Sequence, residues 1–438
     1  AEMFRTVLFA VIFGIVVQGY SSVEDLLEDT EHGGQIWAVI IAGSNKWYNY
    51  RHQSDVCHLY HLLTKKHGIP RQNVITMMYN DIAFNEENPK QGIIINALHG
   101  KDVYEGVMID YMGKDVTPQN FLDILSGKSL SVGSGKTLKS GPKDTVFVNF
   151  VDHGGPGVLG FPTDELHVTD LTKTLESMHA DNRYKQMLWY VEACYSGSMF
   201  SKLSPNMNIT AHTASNTDES SYACVKDEDL HVYLGDCWSL NWMNNTEQIF
   251  PNLEKETVEQ QYEIVKEMTT ESHASIYGDL TYIYSEPISA FLGHPGAATE
   301  TEPVLKRNVK YQSTATPDVL LEYLREKREK ATNNDDAERL DQEIRYHSQT
   351  EGKVQEILEQ ISRQVTGSWD MVAVFSRRPL SIEHPECNKD VLSAFFSQCY
   401  KMQTHPYITK YLFRLTNLCN MYNSGSIVDA VLDNCSFN

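Results

Sequence analysis

The stretch Thr145–Val151, TVFVNFV, is β-branched or aromatic at nearly every position and lacks the polar alternation of a half-exposed strand. A strand that is apolar on both faces must be covered on both faces, which points to the parallel sheets of α/β proteins. Similar runs recur at IWAVIIAGS (36–44), NVITMMYND (73–81), MLWYVEAC (187–194) and MNITAHTAS (207–215). Helical patterns at Asp55–His67, closed by Gly68, and around Leu171–His179 fall between them. Strands alternating with helices imply βαβ units with right-handed crossovers. In such sheets reactive groups collect at the carboxyl ends of the strands. Two of the runs end on chemistry: one in Asp152-His153-Gly154-Gly155, the other in Cys194, followed by Gly197.

A free thiol with a pKa near 8.5 is a weak nucleophile until a neighbouring imidazole takes its proton, and His153 is placed to do this for Cys194. Gly154 and Gly155 leave their backbone amides open to a substrate carbonyl, so that with the Cys194 amide they can stabilise an oxyanion. Alone, a cysteine ending a strand is most often an inert core thiol, and a histidine beside glycine a turn residue. The order, the strand context and the 41-residue gap together favour the catalytic reading. Caspases also carry a histidine ahead of their cysteine, by about 50 residues. GSGKT (133–137) ends like a phosphate-cradling loop, but Leu130 stands where that motif needs glycine and no helix follows, which excludes nucleotide binding.

A chain of 438 residues exceeds one ordinary core. Beyond about Thr301 the composition shifts. Leu320–Val365 is rich in Glu, Lys, Arg and Gln with leucines at helical spacing, broken at ATNNDD, where Asp335 and Glu338 form a capping-box pattern that restarts a helix. Cys387, Cys399, Cys419 and Cys435 crowd the end, as two disulfides stapling a small helical domain would; no Cys-x-x-Cys pair suggests zinc, and no metal or cofactor is expected. At the other end, Ala1 and Glu2 precede Met3, Arg5 precedes an apolar run from Val7 to Val17, and Gly19 offers a cleavage position, the layout of a secretory leader over 1–19. The run is too short to span a membrane. Sequons at Asn208, Asn244 and Asn434 fit the secretory route as glycosylation acceptors. The formal charge of -21 argues against nucleic acid or an anionic membrane surface as partner and suits an acidic lumen, lysosomal, endosomal or extracellular.

The blocks AGSNKWYNYRHQSDVCH, MMYND, DVTPQNFL, LKSGPKD, DHGGPG, EACYSGSM, NTDESSYAC and YLGDCWSLNWM resemble the legumains, the asparaginyl endopeptidases called vacuolar processing enzymes in plants. The resemblance implies a caspase-like α/β parallel-sheet domain over about 30–300, an activation linker over 301–345, and a helical, disulfide-stapled inhibitory prodomain over 346–438. It makes Cys194 the nucleophile and His153 the base, oriented by Asn49, with Gly154 at the oxyanion. It assigns Arg51, His52, Glu192, Ser221 and Asp236 to the pocket for the residue before the cut, and marks Asp152 as able to form a succinimide. The pocket also makes chemical sense: a carboxamide both accepts and donates, so reading it calls for a cation on one side and carboxylates on the other.

The resemblance further implies cleavage after Asn, and after Asp at acid pH, by a zymogen that cuts itself at Asn333 or Asn334. Its partners would be protein and peptide substrates, its own prodomain and cystatin-type inhibitors. The chain departs from the family at Tyr195, where an acid or amide is usual, and at Cys237, where an aromatic is usual; Cys237 either pairs with Cys224 or both are buried free thiols. Two other functions compete, a peptide ligase using the same thioester and an inactive homologue acting as a binding protein. The retained Cys194, His153 and pocket residues count against the second.

Overall fold

The computed structural model describes residues 34–249, 252–294, 311–367, 370–376 and 381–435. The leader assigned to 1–19 and linker residues 301–310 lie outside them. The strands are β1 (Ile36–Ala42), β2 (Val74–Met77), β3 (Thr145–Val151), β4 (Gly154–Gly155), β5 (Val158–Gly160), β6 (Glu165–His167), β7 (Gln186–Glu192), β8 (Ile209–Thr213), β9 (Tyr222–Asp227), β10 (Val232–Asp236), β11 (Ser275–Gly278) and β12 (Ser313–Ala315). Six form the central sheet in the order β11-β8-β7-β3-β1-β2. Its pairings are parallel except at the β11 edge.

The five apolar runs expected to be strands are strands, and the reason is visible in burial. Alternate residues of each enter opposite cores: Ala38, Ile40, Phe147 and Leu188 lie on one face, Val39, Ile41, Val148 and Trp189 on the other. The first face is covered by α1 (Tyr50–His61), the second by α2 (Pro118–Leu125) and α3 (Val168–Ala180). Behind the first face also lie α4 (Cys237–Asn244), α5 (Val258–Met268) and α6 (Ser289–Leu292). β1, β3 and β7 occupy the middle of the sheet, and the in-register pairing of Val151 with Glu192 brings Asp152-His153 beside Ala193-Cys194.

Helix α1 begins at Tyr50, five residues before the expected Asp55. Its first turn is polar yet buried, Arg51, His52, Gln53 and Ser54 included, so hydrophobic period could not reveal it. Its last turn widens at Leu62–Lys66 before Gly68.

The linker and tail contribute β12, α7 (Val319–Glu329), α8 (Asn334–Thr366), α9 (Met371–Phe375), α10 (Pro385–Gln398), α11 (Phe413–Cys419) and α12 (Ser424–Cys435). Helix α8 restarts two residues earlier than expected. Its cap is Asn333, whose Oδ1 accepts from the Asp336 amide at 2.8 Å, and Asp335 is already helical. It runs unbroken through position 346, so the linker and tail share a helix. Disulfides Cys387–Cys419 and Cys399–Cys435 staple α10 to α11 and α12, as two disulfides in the tail were expected to do. Cys224 pairs with Cys237, which resolves that alternative and ties β9 to α4. Among the described residues, Cys57 and Cys194 are the free cysteines, and no helix is long and apolar enough to cross a membrane.

Candidate active site

Gly154 makes the meeting of the two strand ends possible, because a Cβ there would overlap the carbonyl oxygen of Cys194. Beyond the nucleophile, Tyr195 is held at φ 55, a left-handed conformation a tyrosine rarely adopts, so the chain turns sharply as it leaves the strand. Asn49 ends the single turn leading into α1. Its Nδ2 donates to the Asn45 carbonyl at 2.9 Å, which fixes the amide and presents Oδ1 to His153 Nε2, also at 2.9 Å. An amide oxygen only accepts, so Nε2 carries the proton and Nδ1 is left as the basic nitrogen.

The dyad is in a neutral state. Burial pushes the Cys194 thiol up to about 11, against hydrogen bonds from Ser221, and holds His153 well below the ordinary histidine value, with Arg51 adding to the effect. The Sγ atom takes the Ser221 amide at 3.4 Å and lies 3.7 Å from Ser221 Oγ. Burial also raises Asp152 to about 8, partly offset by a hydrogen bond from the His153 amide. Gly43 and Gly160 press on this carboxyl so closely that a Cβ at either would lie 2.6 Å from Oδ2.

The pocket residues converge beside this pair. Arg51, fully buried on the first turn of α1, donates through Nε to Asp236 Oδ1 at 2.8 Å. Glu192, the last residue of β7, accepts at Oε2 from the Ser239 amide at 2.9 Å and hydroxyl at 3.1 Å. His52 Nδ1 meets Ser44 Oγ at 2.6 Å, and its Nε2 lies 3.6 Å from Asp236 Oδ2. Three polar atoms in this buried cluster have no hydrogen-bond partner: Arg51 Nη2, Glu192 Oε1 and Asp236 Oδ2. Burial raises Glu192 well above the carboxylate range, with Asp236 adding repulsion; burial also raises Asp236, and Arg51 opposes it. Ser221, the fifth expected pocket residue, contacts the thiol and meets Thr316 Oγ1 at 3.2 Å.

Asp55, Ser44 and Ser239 were not singled out from sequence, yet they hold the pocket. Asp55 Oδ2 accepts from the Asp236 amide at 3.0 Å. Its position four residues after Arg51, one helical turn, was a usable signal, as was Ser44 at the same strand-end rim as His153. His52, Asp152 and His153 place ligand atoms within 4.8 Å of one another; His52 Nδ1 is engaged with Ser44 and His153 Nε2 with Asn49.

The helical tail covers the site. Met402 and Gln403 close a cavity of about 10 Å³, room for a single water, lined by Ser44, Asn49, Asp152 and His153. The Gln403 side chain donates to the Asp164 carbonyl and Glu165 Oε1 at 2.8 and 2.9 Å, while its carbonyl accepts from Tyr48 Oη at 3.2 Å. Asn388 Nδ2 donates to the Pro156 carbonyl at 2.9 Å, and Val158 is buried within the tail's own core. Linker strand β12 lies antiparallel on β9, and Thr316 continues it with an amide to the Ser221 carbonyl at 3.0 Å, beside the nucleophile.

Asn333 caps α8 with an extended backbone, and Asn334 is its first residue. Asn208 is exposed. Asn434 lies on α12 with Nδ2 donating to Gln364 Oε1 and the Ala430 carbonyl. Asn244 is a correction: at 5 % exposure within α4 its side chain leaves no room for a glycan.

A cysteine and an imidazole on adjacent strand ends, beside a buried charged pocket and under a helical cover, define a cysteine endopeptidase with its inhibitory domain in place. Residues 36–294 match the Peptidase C13 family and residues 338–435 the legumain prodomain. The chain belongs to the Peptidase C13 family, the legumains. It is 42% identical to bovine (Bos taurus) legumain over 401 residues, 90% of this chain and 91% of that one. It is 38% identical to hemoglobinase of Schistosoma japonicum over 98% of this chain and 99% of that one, and 38% identical to the vacuolar-processing enzyme of Vicia sativa over 90% and 84%. A caspase-1 structure from Spodoptera frugiperda aligns at 10% identity and a TM-score of 0.37, over 62% of this chain and 95% of that one, too loosely to carry weight.

Proposed function

We propose that the enzyme cuts peptide bonds after asparagine, and after aspartate when that side chain is protonated, and that it is made as a zymogen that opens itself in an acidic compartment of the secretory route. The observation that carries this reading is the set of unpartnered atoms in the pocket: the Arg51 Nη2 donor and two carboxyl oxygens, Glu192 Oε1 and Asp236 Oδ2. A carboxamide satisfies all three, its oxygen taking the guanidinium and its NH₂ giving to the carboxyls. An apolar side chain satisfies none, and such a site rejects it by roughly 10⁴-fold.

With the cover off, His153 Nδ1 takes the Cys194 proton and the thiolate attacks the backbone carbonyl carbon of the asparagine. The amides of Gly154 and Cys194 receive the oxyanion. The imidazolium returns the proton to the leaving amine, and a water activated by the same nitrogen hydrolyses the thioester. The protonated Asp152 carboxyl, hydrogen-bonded to the His153 amide, suits succinimide closure with loss of water.

A cut after Asn333 or Asn334 separates the four-cysteine domain from the catalytic chain but leaves β12 and α7 on the catalytic side, where β12 lines the approach to Ser221. The test is turnover of matched fluorogenic peptides with Asn, Asp or Ala before the scissile bond. Equal rates for Asn and Ala would refute the pocket assignment.

A further inference from the structure

Two histidines meet at the seam between the tail and the catalytic domain. His347 lies on α8 and His405 on the loop that carries Met402 and Gln403 over the cleft. Their ring centroids are 5.6 Å apart, and the side chains are only 8 and 9 % exposed. Both rings face hydroxyls: His347 Nδ1 meets Tyr407 Oη at 3.1 Å, His405 Nε2 meets Tyr346 Oη at 3.2 Å, and His405 Nδ1 meets Thr404 Oγ1 at 2.9 Å.

The charged groups facing the pair come from every element around it. The catalytic domain supplies Lys46 and Asp81, with Glu86 and Glu87 further along the same cleft. Helix α8 supplies Glu343 and Arg339, and α7 supplies Lys327; from the loop, Lys401 contributes its backbone carbonyl to His405 rather than its charge. Tyr400 stacks edge-on against His405. No carboxylate is hydrogen-bonded to either ring among the described contacts, and the cleft they line, about 870 Å³, admits solvent protons.

We propose that the His347–His405 pair is an acid sensor, whose protonation places two cations within one seam and drives Met402 and Gln403 away from the catalytic histidine. The proposal deepens the zymogen reading above and rests on it. Two imidazolium rings this close repel each other and Lys46, and each must give up water to remain buried. Burial already lowers both histidines from 6.5, His405 to about 4, with His347 and Lys46 adding to the depression at His405. A folded-state pKa below the free value means the closed state keeps its full stability above about pH 6.5 and loses it progressively as pH falls through that value toward the folded one. Each pH unit in that window biases the opened form by up to about tenfold per histidine. Other ion pairs also span the seam: Lys389 Nζ, on α10, meets both Asp170 carboxylate oxygens at 2.7 and 2.9 Å. Lys173–Glu386 and Lys202–Glu383 are half exposed or more, and such pairs contribute little. Lys202 also holds Glu383 below the ordinary carboxylate value, so it protonates only at lower pH.

The experiment uses the full chain with Cys194→Ala, which cannot cut itself, so opening is read without catalysis. Hydrogen exchange at 400–412 and 153–161, corrected for the intrinsic pH dependence, is followed from pH 7.5 to 4. The expected result is a loss of protection with a midpoint between about 5 and 6.5, displaced downward by at least one pH unit in H347Q/H405Q. An unchanged midpoint in the double variant overturns the sensor. Should that variant fold poorly, the histidine ¹³C titration of the Cys194→Ala parent decides instead: titration of both rings in the closed protein near the free value, with no accompanying opening, overturns it equally. Because neither readout involves peptide cleavage, failure of the asparagine preference and failure of the sensor are distinguishable.

Discussion

The pocket and the dyad lie side by side under the same cover, yet they are in opposite states of readiness. Arg51, Asp236, Glu192 and Ser239 are already locked in place, with three atoms open to a ligand. Cys194 and His153 are in place but electrically silent, because burial disfavours both the thiolate and the imidazolium. A recognition site can be built in advance because its charges compensate one another, whereas a nucleophile is kept off by withholding water. In the proposed zymogen, the cover would act by withholding water from the dyad as well as by closing the cleft over it.

The largest effect expected from breaking that contrast is at the dyad. Cys194→Ala or His153→Ala should lower turnover of an asparagine peptide by several orders of magnitude while leaving the thermal transition in place, since the two groups act as a unit. An activated Cys194→Ala protein that kept near-normal turnover would end the mechanism. Next is the pocket. Arg51→Met leaves Asp236 buried without its cation, and we expect a loss of roughly 10²–10⁴-fold in kcat/KM for asparagine peptides, measured beside thermal unfolding to separate it from misfolding.

The dyad's silence is itself measurable. With the thiol at about 11 in the covered state, alkylation of Cys194 by iodoacetamide at pH 7 should be slower than in the opened enzyme by roughly 300-fold, the ratio of thiolate fractions against a free thiol near 8.5. Equal rates would show that the cover does not control solvation. A smaller contrast concerns charge. Aspartate before the cut should be accepted only as pH falls below about 5, toward its own pKa near 3.9, whereas asparagine is accepted across the range. Aspartate peptides cut as well at pH 7 as at pH 4.5 would refute the carboxyl-lined pocket. The mildest test is Val158→Ala, which trims a catalytic-domain side chain buried in the tail's core and should weaken the cover by about 1–2 kcal/mol, seen as modestly higher activity before processing.

Five strands of the central sheet were legible because each is buried and reads as a mostly apolar run; the edge strand β11, half-buried along its length, left no such run. The catalytic ends were legible because the strand-end rule places reactive groups there. The first turn of α1 was not. Arg51, His52 and Ser54 are buried by pairing with Asp236, Ser44 and backbone rather than by apolar packing, and polar burial leaves no period in a sequence. The cap of α8 was misplaced by two residues because Asp335 with Glu338 fits the capping-box pattern, while Asn333 caps through Asp336 with no glutamate involved. The tail's grip on the site, through Met402, Gln403 and the burial of Val158, depends on contacts across more than 200 positions, which no local pattern records.

Asn333 has a second significance as the residue that begins a helix of 33 residues. A cut on its carboxyl side would turn a capped helix start into a free ammonium at the positive end of the helix dipole, and would strip the first turn of an acceptor whose loss typically costs about 1 kcal/mol. The new ends would then no longer lie in register for rejoining. Under the proposed cut, the side chain that would mark the bond is also the one holding the helix start, so the cleaved state would be structurally unlike the intact one.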